Sequence, residues 1–314
     1  MRIGYLARTI LFAIPTLLAL ITITFALIRL LPGDPILNLL GENFDPVTYA
    51  ALLKDYGLDQ PIYVQYLRWL WDLLHGDMGV SIVSHQPVTN IVLTRLPISL
   101  ELAFLAVLIG VAIGIPTGIV SSTHRNTKTD YTVLTAAMVG LSIPEFFMAI
   151  LLILGFGLYL RILPATGFVY FGVDPIGNLL HMILPAFALG IARAASIARL
   201  TRSSMLEVLP QDYVRTARSK GVKERTVIWR HSLRNALLPT VTLMGLQFGY
   251  ILGAAVVIEI IFGIPGLASV GINAIQQRDY PVVQGFILVF GAMFILLNVL
   301  VDIVYTFLDP RIKV

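Results

Sequence analysis

Six stretches of the chain are nearly free of charged side chains for about 20 residues or more, the length that crosses a bilayer core as a helix. The six windows are residues 9–31, 98–123, 132–158, 181–200, 235–260 and 280–307. This pattern predicts an all-α integral membrane protein with six transmembrane helices. The fourth window is the weakest because it contains Arg193.

Several prolines lie in or at the ends of these windows: Pro15, Pro116, Pro144, Pro185 and Pro239. Proline interrupts a soluble helix because it lacks a backbone N–H and its ring clashes with the preceding turn. Packed membrane helices tolerate it, because neighbouring groups satisfy the freed backbone carbonyls. The prolines therefore leave the prediction of six spans unchanged.

Composition supports a membrane protein. Hydrophobic residues make up 57% of the chain and charged residues 13%, whereas a soluble domain carries about 25% charge. The mean hydropathy is +0.85. There are no cysteines, which excludes disulfides and thiolate metal sites. The net charge of +4 would also suit a nucleic-acid binder, but the positions of the charges favour another explanation.

Basic residues concentrate in alternate loops, which sets the orientation of a membrane protein. The loop at 201–234 carries most of them: Arg202, Arg215, Arg218, Lys220, Lys223, Arg225, Arg230 and Arg234. Residues 1–8 and the C-terminal tail are also basic, whereas residues 32–97 are acidic. We therefore expect both termini and the 201–234 loop in the cytoplasm and the 32–97 segment outside. The basic charge indicates topology, and no nucleic-acid partner is expected.

The outer segment at 32–97 is too long for a plain turn. From Pro61 it contains a helical, aromatic-rich stretch, Ile62–Leu74, of a kind that suits a helix at the membrane interface. One interpretation is a cap that seals the outer ends of the spans. The other is a docking surface for an external partner, and the two are compatible.

The 201–234 loop has a regular internal plan. Pro210 fits the first position of a short helix, and Asp212 would lie in its first turn, where the helix dipole favours a negative charge. Val214 and Ala217 would give that helix an apolar side, and Gly221 would end it. A second helix, from about Lys223, would continue into the fifth span. The plan is that of an element that receives force from a cytoplasmic partner.

The residues of this loop resemble a known family. Asp212–Gly221 and Arg230–Pro239 are similar to the coupling loop of ABC-importer permeases, and more narrowly to the B-type membrane subunit of the dipeptide/oligopeptide (and nickel/glutathione) transport family. Four further segments support the resemblance: Leu31–Pro35, Gly57–Pro61, Arg278–Gln284 and Leu308–Ile312. The general motif begins Glu-Ala-Ala, whereas this chain has Arg215-Thr216-Ala217 and a later Leu238-Pro239, a variant that the peptide family shows.

The resemblance implies the type I ABC importer permease fold. It implies that the ATPase-coupling residues are Asp212, Tyr213, Arg215, Thr216, Ala217, Arg218, Lys220 and Gly221. The implied partners are a homologous second permease subunit in a heterodimer, two ABC ATPase subunits, an extracytoplasmic solute-binding protein and membrane lipid. The implied location is the bacterial inner membrane. Dipeptides, oligopeptides, glutathione and chelated nickel are all carried by members of the family, and the sequence does not choose among them.

Catalytic motifs are missing from the sequence. It has no G-x-x-x-x-G-K-[ST] phosphate loop, no H-E-x-x-H and no G-x-S-x-G. We therefore expect this chain not to be an enzyme and to bind no cofactor or metal of its own. ATP and Mg would be used by the partner ATPases.

Two ionisable residues fall at membrane depth, where a charge is costly unless it is paired or faces water. Glu145 lies near the middle of the third window and Arg193 in the fourth. One hypothesis is that Glu145 faces the transport pathway and meets the amino end of a peptide; the other is an internal pair with Arg193. A stand-alone secondary carrier, which binds at midplane with acidic residues on broken helices, is the alternative from another class, but it would leave the 201–234 loop without a purpose.

Overall fold

The computed structural model of this protein describes residues 2–30, 35–40 and 44–308. Within these ranges the regular structure is helical, apart from one isolated β-bridge between Val80 and Pro87. The helices of the first part are α1 (Arg2–Leu30), α2 (Pro35–Leu40), α3 (Pro46–Asp55), α4 (Ile62–Leu74) and α5 (Val88–Thr123). An all-helical fold agrees with the prediction from the sequence.

The remaining helices carry the predicted functional residues. They are α6 (Lys128–Ser142), α7 (Glu145–Leu152), α8 (Pro175–Val208), α9 (Asp212–Ser219), α10 (Glu224–Thr226), α11 (Leu233–Phe262), α12 (Leu267–Gln277) and α13 (Tyr280–Leu308). A π-helical stretch, Ile153–Tyr159, extends α7, and another, Val227–Ser232, joins α10 to α11.

The chain folds as two compact units. The larger unit comprises Met1–Tyr5, Leu100–Ile264 and Leu297–Val314, and the smaller unit comprises Leu6–Ser99 and Pro265–Leu296. The 201–234 loop, Glu145 and Arg193 all belong to the larger unit, whereas α3, α4 and α12 belong to the smaller one.

Four helical stretches are each long and apolar enough to cross a membrane: Val88–Thr123, Pro175–Val208, Glu224–Phe262 and Tyr280–Leu300. The pair Lys128–Ser142 and Glu145–Tyr159 passes the same test together, which gives up to five spans among the described residues. The described apolar stretch of α1, Leu11–Ala26, is shorter. The prediction of six spans therefore stays a prediction.

The third predicted window is not one straight helix. α6 and α7 meet at an angle of 99°, and the break falls at Ile143 and Pro144. Ile143 has the extended backbone (φ −83°, ψ 119°) that a residue before proline prefers, because the proline ring disfavours the helical conformation there. By contrast, α1, α8 and α11 each run through a proline without ending.

Glycines bring α5 and α8 into backbone contact in the larger unit. Gly110, Gly114 and Gly118 are spaced four apart on one side of α5 and face α8. A Cβ atom on Gly114 would lie 2.7 Å from the carbonyl oxygen of Ala194, and one on Gly118 would lie 2.7 Å from that of Ala198. Small residues at this spacing allow membrane helices to pack closely. This contact fixes α8 against α5.

In the smaller unit, α4 packs against the last turns of α1. The ring of Phe25 lies 5.3 Å from that of Tyr66 and 5.8 Å from that of Trp69. The hydroxyls of Thr22 and Tyr66 are hydrogen-bonded at 2.8 Å. The opposite side of α4 is a row of exposed apolar side chains: Ile62, Tyr63, Leu67, Trp71 and Leu74. Since Thr22 and Phe25 lie inside the first apolar window, α4 packs against a part of α1 that is predicted to lie in the bilayer.

Candidate functional site

The segment after α8 folds as a short helix, a tight turn and a second helix. α9 begins at Asp212, two residues after Pro210, so the proline precedes the helix and does not occupy its first position. Gly221 has φ of +75°, the left-handed conformation that glycine adopts without strain. A Cβ on Gly221 would meet nothing within 4 Å, so the backbone angle, and not space, calls for glycine.

One face of α9 is buried against the ends of other helices. Val214 is 0% exposed and Ala217 is 8% exposed. Both belong to an apolar cluster whose other members we call the platform: Ile119 of α5, Met205 and Val208 of α8, Val227 of the π-helical stretch, and Leu233 and Ala236 of α11. α9 therefore packs on the π-helical stretch that leads into α11, in one buried cluster with residues of α5, α8 and α11.

Polar contacts fix the position of α9 on the platform. The side-chain amide of Asn235 donates a hydrogen bond of 2.7 Å to the hydroxyl of Tyr213. Arg218 donates to both carboxylate oxygens of Glu224, at 2.8 and 3.1 Å, across the glycine turn. Hydrogen bonding to Glu224 raises the pKa of Arg218 above its usual value. α9 is thus tied both to α10 and to the first turn of α11.

The other face of α9 is exposed and polar. Asp212, Arg215, Thr216, Ser219 and Lys220 all point away from the platform into solvent. Arg215 and Asp212 lie 3.5 Å apart, with side chains 72% and 98% exposed. A surface pair of this kind adds at most about 1 kcal/mol, so these side chains stay available to a partner.

Glu145 and Arg193 meet in the structure. The Arg193 guanidinium lies 2.5 Å from Oε1 of Glu145 and donates a second hydrogen bond of 2.9 Å to the side chain of Gln247. Glu145 is the first residue of α7, where the helix dipole favours a carboxylate. The cluster therefore links α7, α8 and α11, and the two charged side chains are 23% and 17% exposed.

A second ion pair, between Asp130 and Arg202, was not predicted from the sequence. Asp130, which is 1% exposed, accepts hydrogen bonds from Nε and Nη2 of Arg202, both at 2.8 Å. Arg202 enters the sequence prediction only as a charge that sets topology, and Asp130 has no predicted role. The signal was an aspartate at the start of a membrane window, beside the cluster of Arg125 and Lys128.

Comparison with known proteins places the chain in a family. A family model described as a binding-protein-dependent transport system inner membrane component matches residues 114–314, and a model of the N-terminal part of such components matches residues 2–103. The chain belongs to this family of transport permeases. It is a multi-pass protein of the inner membrane.

Curated relatives match almost the whole chain. A protein of Brucella abortus (strain 2308), whose name assigns it provisionally to a peptide transport system as a permease, is 44% identical over 301 residues, 96% of each chain. The dipeptide transport system permease protein DppB of Escherichia coli (strain K12) is 40% identical over 335 residues, 98% of each chain. The glutathione transport system permease protein GsiC of Pectobacterium atrosepticum is 41% identical over 311 residues, 99% of each chain.

A solved structure shows the same fold. An inward-facing structure of the MetNI methionine ABC transporter aligns with 69% of this chain and 95% of its own chain, with a TM-score of 0.57 and 17% sequence identity. At that identity the likeness concerns the fold alone.

Proposed function

We propose that this chain is the membrane permease subunit of an ABC importer of short peptides, and that residues 212–221 receive the motion of a cytoplasmic ATPase. The observation that carries the proposal is the seating of α9. Its apolar face, through Val214 and Ala217, is buried in one cluster with the ends of α5, α8 and α11, while its polar face is exposed. Such an arrangement transmits a push on α9 into the membrane helices.

The proposed cycle uses α9 as a rigid lever. ATP binding closes the partner ATPases, which displace the exposed face of α9. The displacement passes through the platform into α8 and α11 and switches the pathway from inward-facing to outward-facing. Packed helices transmit such shifts because close-packed interiors do not deform continuously. ATP and Mg belong to the ATPases; this chain is not an enzyme and binds no cofactor.

The proposed assembly contains a homologous second permease as the other half of a heterodimer, two ABC ATPases and an extracytoplasmic solute-binding protein. The orientation places both termini and the 201–234 loop in the cytoplasm and the 32–97 segment outside. The positive-inside distribution of Arg and Lys supports this orientation.

The proposed substrate class is dipeptides and oligopeptides. The names of the Brucella and E. coli relatives support it, whereas the name of the Pectobacterium relative points to glutathione. The assay is uptake by proteoliposomes that contain the full complex with its binding protein, with labelled dipeptide, oligopeptide, glutathione and chelated nickel in parallel. Faster uptake of glutathione or chelated nickel than of peptides would reassign the substrate.

We propose that Glu145 and Arg193 act as an internal pair and not as a peptide-binding site. The carboxylate already holds a guanidinium, and Gln247 takes another donor of the same group. A break in a span that carries an acidic residue is also a feature of secondary carriers. In this chain, however, one oxygen of the carboxylate is already paired with Arg193, which favours the internal pair.

Single cysteines test the site and the orientation together, because the native chain has none. Arg215→Cys lies on the exposed face of α9, and the matched control, Arg161→Cys, is an exposed position on the predicted outer side. We expect Arg215→Cys to cross-link to the ATPase and to react with an impermeant thiol reagent only after the cells are opened. We expect Arg161→Cys to do the reverse. Cross-linking of Arg161→Cys alone would overturn the proposal.

A further inference from the structure

A carboxylate is held by four donors at the start of α6. Oδ1 and Oδ2 of Asp130 accept from Nε and Nη2 of Arg202, each at 2.8 Å. The backbone N–H of Asn126 donates to Oδ2 at 3.0 Å, and the hydroxyl of Ser121 donates to Oδ1. A carboxylate has about four acceptor positions, so this one is saturated. A bidentate guanidinium also fixes direction as well as distance.

The four donors belong to three residues in three parts of the chain: Ser121 near the end of α5, Asn126 in the turn that follows it, and Arg202 in α8. The acceptor, Asp130, lies in α6. The side chain of Asp130 therefore joins three helices of the larger unit at one point. Asp130 is 1% exposed, and the side chain of Arg202 is 21% exposed. Water does not compete strongly for these bonds.

The pair lies beside the platform on which α9 rests. Ser121 is two residues after Ile119, and Arg202 is three residues before Met205, about one helical turn. Ile119 and Met205 are both platform residues, from α5 and α8 respectively. The glycine contacts hold α8 against α5, but the platform contains no residue of α6. The bidentate ion pair supplies a directional tie between the inner end of α6 and α8.

We propose that Asp130 and Arg202 are positioning residues for ATPase coupling: they lock the inner ends of α5, α6 and α8 together, so that a push on α9 moves these helices as one body. This inference rests on the proposed function of α9. Neither residue contacts nucleotide or substrate. Without the pair, motion of α9 is lost as sliding between helix ends, and ATP is hydrolysed with little transport.

The test compares conservative substitutions in the complete complex in proteoliposomes. Arg202→Lys keeps the positive charge but loses the two-pronged donor, and Asp130→Asn keeps the shape but loses the negative charge. The control is Arg199→Lys, the same change at an exposed position one turn earlier in α8. The readout is substrate transported per ATP hydrolysed, together with the yield and melting temperature of the complex.

We expect transport per ATP to fall by about tenfold in Arg202→Lys and Asp130→Asn, the factor that loss of one charge-assisted hydrogen bond gives in an equilibrium constant. ATPase activity should remain, and Arg199→Lys should match the wild type. A role in fold stability alone predicts a lower melting temperature with an unchanged ratio of transport to ATP, and that result would overturn the inference.

A reversible link covers the case in which either variant fails to fold. The double variant with Asp130→Cys and Arg202→Cys, closed by a cleavable bifunctional thiol reagent, should regain coupling when linked and lose it again on reduction. Equal transport per ATP in both states contradicts the inference. If Arg215→Cys cross-links to the ATPase in the same preparations, the proposed function stands whatever this test shows.

Discussion

The amide of Asn235 donates a hydrogen bond of 2.7 Å to the hydroxyl of Tyr213, and this bond joins α9 to the first turn of α11. Its removal in Tyr213→Phe leaves the ring in place. The net contribution of a hydrogen bond to stability is about 1 kcal/mol, so we expect transport per ATP to fall by less than tenfold. A double-mutant cycle with Asn235→Ala measures the bond itself. Additive effects of the two substitutions would show that the bond does not contribute to coupling.

Substitutions at Gly221 should follow backbone preference and not side-chain size. The φ of +75° is strained for other residues, and the space around a Cβ is open. Asparagine enters the left-handed region most readily and a β-branched residue least readily. We therefore expect coupling, measured as transport per ATP in proteoliposomes, to be reduced least in Gly221→Asn, more in Gly221→Ala and most in Gly221→Val. Normal transport in Gly221→Val would contradict the lever mechanism.

Gly114→Ala should destabilise the protein although alanine favours helices. The new methyl group would meet the backbone oxygen of Ala194 at 2.7 Å, and overpacking of this kind costs about 1–3 kcal/mol. Helix propensity returns only up to about 1 kcal/mol. The control is Gly253→Ala in α11, where a Cβ meets nothing within 4 Å and a neutral or stabilising effect is expected. Thermal unfolding in detergent should show a lower melting temperature for Gly114→Ala and an unchanged or higher one for Gly253→Ala.

Glu145→Gln separates the two hypotheses for the ion pair at the bend. The amide keeps an oxygen for Arg193 but loses the charge, and both native side chains keep about a fifth of their exposure. We expect a loss of about 2 kcal/mol in stability, below the 3–5 kcal/mol of a fully buried pair, with peptide transport unchanged. Unchanged melting with lost transport would instead assign Glu145 to the pathway.

The exposed apolar row on α4 should contact lipid. α4 is hydrogen-bonded to α1 through Thr22, inside the first apolar window, which places the row within reach of the bilayer. Trp71 is 65% exposed on this row, and tryptophan favours such interfaces. A variant with Trp71 as its only tryptophan should be quenched by brominated lipids, and one that keeps only Trp229 should not. Unquenched Trp71 fluorescence in the complete complex would indicate that protein, and not lipid, covers α4.

The windows nearly free of charge predicted the long helices, because crossing a bilayer demands an unbroken run of apolar residues. The succession of short helix, glycine turn and second helix in the 201–234 loop was also predictable from the sequence. Gly221 and the amphipathic spacing of Val214 and Ala217 are local signals. The bend at Pro144 was not predictable from the sequence. Prolines also lie inside α1, α8 and α11, which continue through them, so the surrounding contacts decide whether a helix bends at a proline.

Long-range polar pairs were the least predictable part of the site. Glu145 and Arg193 attracted notice because each is a charge at membrane depth, but their 48-residue separation gives no geometric signal. Asp130 and Arg202 are 72 residues apart and lie at the ends of windows, where charges are ordinary. Pairing of this kind depends on how α6 packs on α8, which a single sequence does not reveal.

The length of α8 has a consequence for the speed of switching. Its 34 residues make a rod of about 51 Å, well over the roughly 30 Å of hydrocarbon in a bilayer. One continuous helix therefore carries both the platform residues Met205 and Val208 and Arg193, which pairs with Glu145 at the bend between α6 and α7. A change at one end can reach the other by tilting alone, with no bond in the helix broken. We therefore expect signalling through it to be a rigid-body motion on the microsecond-to-millisecond scale, without the slower steps of local unfolding.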